Sequence, residues 1–234
     1  MSIPVKGLKL VPSAGRDAGR TAQYSGMYIP RYYRNENHAE LVAFMRRYDF
    51  ATVVSLVGGA PFATHIPLVI ADDADGLRLR GHVARPNPQW ETIEAGETLV
   101  IFGGPHAYVS PSAYDTKLSV PTWNYVAVHA YGHAALVKEP DRMTAMLAEL
   151  IAIHEPAYQS QWDALPEKYR LGMLGGIVGF EITVSRLEGK YKLSQNRSDA
   201  ERDRVTAALA GAADPRINDV AKLMQHPVSE TRPG

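Results

Sequence analysis

The 234-residue chain contains no cysteine, which excludes disulfide bridges, thiolate nucleophiles and cysteine-ligated metal centres. It has no charge bias: 25 Lys plus Arg balance 25 Asp plus Glu. A global positive field that would gather nucleic acid without regard to sequence is therefore ruled out. No apolar run approaches the roughly 20 residues that a membrane-spanning helix needs. Three motifs are also missing: the Walker glycine-lysine loop, Gly-x-Gly-x-x-Gly after a strand, and the Gly-x-Ser-x-Gly elbow of serine hydrolases. The remaining composition, 45% hydrophobic and 21% charged, belongs to an ordinary globular protein, and a cytoplasmic location is expected.

Residues 1–26 hold scattered prolines and glycines with Lys6, Lys9, Arg16 and Arg20, but no apolar stretch of a secretory signal. They read as a disordered extension. Met27 is the expected start of the folded domain, which extends to residue 205, and residues 206–234 read as a helical, partly flexible tail.

Residues 37–48 place Leu41, Val42 and Met45 at helical spacing behind Asn37 and Glu40 as a capping pair. Strands are expected at residues 50–57 and 61–70, with Gly58-Gly59 as the turn between them. Residues 77–83 alternate: Leu77, Leu79, Gly81 and Val83 share one face, and Arg78, Arg80 and His82 the other. Further β-rich runs lie at residues 98–102, 107–110, 123–137 and 177–184. A helix with Met143, Met146, Leu147, Leu150 and Ile151 as its stripe opens at Pro140, and Ser198-x-x-Glu201 forms a capping box. Short turns join most strands, so the expected class is mainly β or α+β, an antiparallel barrel with peripheral helices.

Four polar-aromatic stretches carry the candidate chemistry. Residues 81–90, Gly-His-Val-Ala-Arg-Pro-Asn-Pro-Gln-Trp, follow a strand and deliver Arg85, whose guanidinium can hold two phosphate oxygens at once; a surface arginine at a strand end is the plain alternative. Residues 63–68, Ala-Thr-His-Ile-Pro-Leu, supply the hydroxyl of Thr64. Trp123, Asn124 and Tyr125 set two aromatic planes beside an amide, although strand alternation points Asn124 away from its neighbours and core packing explains both rings equally well. Residues 190–197 bring Lys192, Ser194, Gln195 and Asn196 beside Tyr191, to close a pocket or to cap the helix near Ser198. His65 and His82 are the acid-base candidates, or else structural histidines. His129 and His133 share a strand face with no third ligand near in sequence, so no metal is expected.

These stretches, with Met27-Tyr28-Ile-Pro, Gly-Pro-His-Ala-Tyr-Val-Ser-Pro at residues 104–111 and Pro-Thr-Trp-Asn-Tyr-Val-Ala-Val-His at residues 121–129, resemble the PaiB family of FMN-binding proteins from Met27 to about Met224. The family is similar in fold to the pyridoxamine-phosphate-oxidase-like split β-barrels. The resemblance implies a homodimer with FMN in clefts between subunits. It implies Arg85 at the phosphate with Asn87 nearby, and Thr64, His65 and Ile66 along the isoalloxazine. It further implies that Trp123, Asn124 and Tyr125, with Lys192, Ser194 and Gln195, complete the pocket. Members are described as negative transcriptional regulators, a role for which no helix-turn-helix is evident here, so DNA rests on the resemblance alone. A flavin oxidoreductase fed by reduced nicotinamide is the alternative, and a barrel binding pyridoxal phosphate or haem is a third.

Overall fold

The computed structural model describes residues 26–225. The expected extension at residues 1–26 therefore lies, but for Gly26, outside the described residues, as does the end of the expected tail.

Eight antiparallel strands make one sheet in the order β3-β2-β6-β7-β8-β5-β4, with the two-residue β1 (Arg34–Asn35) added to β8. β2 (Phe50–Val57) and β3 (Ala60–Pro67) form the expected hairpin. Gly58 and Gly59 have φ of 60° and 81°, the left-handed pair that a two-residue turn requires and that side chains with a Cβ disfavour. β4 (Val69–Asp73) and β5 (Gly76–Ala84) make the second hairpin. β6 (Glu97–Val109), β7 (Thr122–Val137) and β8 (Ile177–Lys192) are the long strands.

The run expected as one strand over residues 61–70 is divided at Leu68. Its N–H leaves the ladder for the carbonyl of Asp49 at 3.0 Å, and its side chain is fully buried. β3 and β4 are the two ends of the strand order, yet this one residue joins them. The sheet must curl until its edges meet, which is the split-barrel closure. Inside lie Phe102, Phe180, Leu79, Val100 and Val128, all fully buried.

Helix α1 (His38–Arg47) starts where expected: the Asn37 side chain accepts the Glu40 N–H at 3.2 Å. It buries Leu41, Val42, Phe44 and Met45 and covers one part of the barrel core. α2 (Pro140–His154) packs by Met143 and Met146 over Val137 of β7 and Gly179 of β8, with α3 (Gln159–Ala164) and α4 (Glu167–Leu174) packed on it. There Met143 and Met146 build a small separate cluster with Val137, while Leu147, Leu150 and Ile151 remain half-buried. α5 (Asp199–Ala210) has the expected capping box, and its span crosses the expected boundary at residues 205 and 206. α6 (Pro215–Gln225) packs on α5 and along β6.

Candidate functional site

The segment after β5 is pinned at several points. The Asn87 N–H returns to the Ala84 carbonyl at 2.9 Å, and the Asn87 carboxamide oxygen accepts the Gln89 N–H at 2.9 Å, capping a short 3-10 turn over Pro88–Glu91. The other end of that amide donates to Thr64 Oγ1 at 3.0 Å, tying the loop to β3. Gln89 is fully buried and donates to the Val53 carbonyl at 3.1 Å and to Ser55 Oγ at 3.0 Å. The Trp90 indole N–H closes on the Arg85 carbonyl at 2.9 Å.

Arg85 is exposed and held by one edge. Its Nε donates to the Gly175 carbonyl at 2.6 Å and its Nη2 to the Ile177 carbonyl at 3.0 Å, both just beyond α4. Nη1 has no partner among the described residues. The outer fork of the guanidinium thus keeps N–H groups for an anion, while the carbonyls fix the plane in which they lie.

On β3, alternation separates the expected trio. Thr64 and Ile66 pair with the buried Val53 and Ala51 and face inward, and Ile66 packs against the core. His65 pairs with Thr52 and stands on the outer face. His82, at register with Gly179, lies under the α2 side of the sheet: a Cβ on Gly179 would strike Met143. Burial lowers the His82 pKa below the ordinary imidazole value. His82 therefore belongs to neither of the two polar groups.

The second group sits where β7 begins and β8 ends, because Tyr125 is at register with Lys192. Trp123 is 52% exposed and Tyr125 half-buried, both outward, whereas Asn124 is fully buried on the opposite face. The Asn124 amide donates to Ser194 Oγ at 2.9 Å, and the Ser194 hydroxyl is 3.1 Å from the Asn124 oxygen. Ser194 is itself buried with φ of 63°. Gln195 folds back on the chain, its oxygen accepting the Leu193 N–H at 2.8 Å and its nitrogen donating to the Tyr191 carbonyl at 2.5 Å. Asn124, Ser194 and Gln195 thus spend their polar atoms within the chain. Lys192 is the outward member: its ammonium donates to Thr122 Oγ1 and to the Trp123 carbonyl. Burial first, and the nearby Lys190 second, lower its pKa.

Lys190 is a residue that the sequence reading missed. Its ammonium donates to the Tyr28 carbonyl at 2.9 Å and lies 5.6 Å from the centre of the Tyr28 ring and 5.5 Å from that of Tyr125. The signal was available, since residues two apart on a strand share a face; β8 was expected to end at residue 184, which hid it.

The second group borders one surface. His65, Thr52, Ile101, His129 and Glu188 stand in register across β3, β2, β6, β7 and β8. Among the described residues no helix covers this face, and its apolar members include Phe50 at 63% and Leu56 at 60% exposure. At its far side Glu188 gathers the Met27 N–H at 2.6 Å, the Tyr131 hydroxyl at 3.3 Å and the Arg186 guanidinium. No hydrogen bond among the described residues joins the Arg85 group to the Lys192 group.

Comparison with known proteins places this geometry. A family model described as "Putative FMN-binding domain" matches residues 27–186. The chain is 41% identical over 206 residues to the "Protease synthase and sporulation protein PAI 2" of Bacillus subtilis, covering 85% of this chain and 97% of that protein. It is 34% identical over 186 residues to an uncharacterised protein of Emericella nidulans, covering 63% and 74%. Among solved structures, the flavocytochrome Anf3 of Azotobacter vinelandii superposes with a TM-score of 0.57 at 15% identity, over 70% of this chain and 72% of that one. An FAD- and haem-binding protein of Mycobacterium smegmatis does so with 0.53 at 16%, over 77% and 80%. At such identities the structural likeness speaks for the fold alone.

Proposed function

The chain belongs to the FMN-binding-domain family that matches it over residues 27–186, and from that premise we propose that it is a homodimer holding FMN in two clefts between its subunits. The observation that carries this reading is Arg85, an exposed guanidinium whose inner edge is fixed by two carbonyls and whose outer fork has no partner among the described residues. That fork suits a phosphate dianion. The Asn87–Thr64 pair stiffens the loop that presents it, and His65 stands on the uncovered face.

The second subunit enters because the aromatic and lysine group lies on the strand face that also carries His65 and is not bonded to the Arg85 group within one chain. Pairing two copies through the surface that carries Phe50 and Leu56 buries apolar side chains now in water. It also lets Trp123, Tyr125, Lys190 and Lys192 of one copy approach Arg85 and His65 of the other. When bound, FMN supplies hydride and single-electron transfer; the chain's own groups bind its phosphate, cover its ring and exclude water.

For the task, kinship with the sporulation protein of Bacillus subtilis favours transcriptional regulation, with flavin occupancy or redox state as the signal. A second reading, an oxidoreductase taking hydride from reduced nicotinamide, is favoured by the helices. The cations Arg216 and Lys222 of α6 are paired with Asp214 and Asp219, so the positive charge there is locally balanced and gives little net attraction for DNA phosphates.

The test is FMN titration followed by size exclusion of the complex. Flavin held by a dimer is the expected result; a chain that remains colourless and monomeric overturns the reading. Gel shift of its own upstream region at two salt concentrations, set beside nicotinamide turnover with and without FMN, separates regulator from enzyme.

A further inference from the structure

We propose that the cavity between the free edge of β6 and the first turn of α6 binds a second planar ligand, an aminated nitrogen heteroaromatic of the adenine type. β6 pairs with β2 only at residues 99–101. Beyond a bulge between Gly103 and His106, that edge has no strand beside it among the described residues, and Pro105 has no N–H to offer one. α6 lies along β6 instead, and the space left between them is a cavity of about 480 Å³, within the range of small-molecule sites.

Its lining is aromatic. Trp123 meets Tyr108 edge-on, with ring centres 6.0 Å apart and planes at 81°, and leans on His106 at 5.9 Å. Tyr108 and Trp123 are each about half exposed, so their faces are open to a stacked ring. Tyr48 and Ile217 add apolar wall.

The polar rim selects the ligand. Asp214 is taken up by Arg216, whose Nε and Nη2 engage both carboxylate oxygens. Asp219 uses only Oδ1, for Lys222 at 2.6 Å. Asp219 Oδ2 and Arg216 Nη1 have no partner among the described residues, which leaves one charged acceptor and one charged donor at the cavity. An exocyclic amine beside a ring nitrogen offers the matching donor and acceptor. The isoalloxazine of FMN carries no exocyclic amine, so this ligand is distinct from the flavin, although Trp123 serves as a wall to both.

Isothermal titration of the full chain with adenine, and with purine, which lacks the amine, tests the site. It is run with and without FMN, so that its outcome does not depend on the flavin reading. Adenine is expected to bind about tenfold more tightly than purine, the scale of one charge-assisted hydrogen bond. Asp219→Ala is expected to bring adenine down to the purine level, and Ile217→Trp, which fills the cavity, to abolish both. No heat from either compound at millimolar concentration, equal affinity for the two, or displacement of adenine by stoichiometric FMN would each overturn the proposal.

Discussion

Arg85 donates its Nε–H to the Gly175 carbonyl at 2.6 Å, and this bond decides which edge of the guanidinium faces outward. The Arg85→Ala variant is expected to weaken FMN binding by about 1.5–3 kcal/mol, the loss of a charge-assisted bond. Arg85→Lys keeps the charge but neither the fork nor the double tether, so it is expected to recover only part of that loss. Fluorescence titration of FMN reads both, and an unchanged dissociation constant in Arg85→Ala removes this residue from the pocket.

The exposed face of β2 offers a direct test of assembly. Replacing Phe50 and Leu56 together by lysine puts two charges on the surface proposed to meet its twin, while both side chains already point to solvent in the single chain. Light scattering is expected to give half the mass of the parent, with an unaltered far-ultraviolet circular dichroism spectrum and weakened FMN binding. A double variant that stays dimeric moves the interface elsewhere.

Asn124→Ala separates a structural role from a ligand role. The substitution removes the partner of the buried Ser194 hydroxyl, and a cost of about 2–3 kcal/mol is expected in urea unfolding. Since the amide is enclosed, FMN affinity at temperatures where the variant remains folded is expected to match the parent. A large loss of affinity there would show that Asn124 reaches the flavin.

Stability is expected to fall with acid through two histidines. Burial lowers the pKa of His82, and burial, opposed by Glu188 and aided by Lys190, lowers that of His129. Below about 6.5, the ordinary imidazole value, the unfolded chain binds protons that the folded chain resists. Stability therefore rises with pH up to that point and is flat in these groups above it. His82→Gln is expected to flatten the slope between about pH 5 and 6.5 in thermal melts; an undiminished slope would assign it to other groups.

Local signals were sufficient for the hairpin at Gly58-Gly59, the cap at Asn37, the alternation in β5 and the capping box at Ser198, because each is written within a few residues. Three features were not legible, for a common reason. The break at Leu68 depends on a bond to Asp49, the extension of β8 to Lys192 depends on its pairing with Tyr125, and the burial of Ser194 depends on Asn124, 70 residues earlier. The same holds in the candidate site. The motif that carries Arg85 and Asn87 is visible in sequence, but the carbonyls that orient Arg85 come from residues 175 and 177 and carry no side-chain signature. For Asn124, Ser194 and Gln195 the polarity is visible in sequence and the internal partners are not.

The position of β8 also bears on how the chain acquires its shape during synthesis. β8 alone bridges β7 to β5, and it ends at Lys192. Until that strand has left the ribosome, the hairpin of β4 and β5 has no ladder to the long strands, and Leu68 with the bonds from Asn87 to Thr64 and from Gln89 to Val53 and Ser55 is what ties it to β2 and β3. Ladder closure between β7 and β5 waits for β8, and a nascent chain stalled before it would present unpaired strand edges to its neighbours.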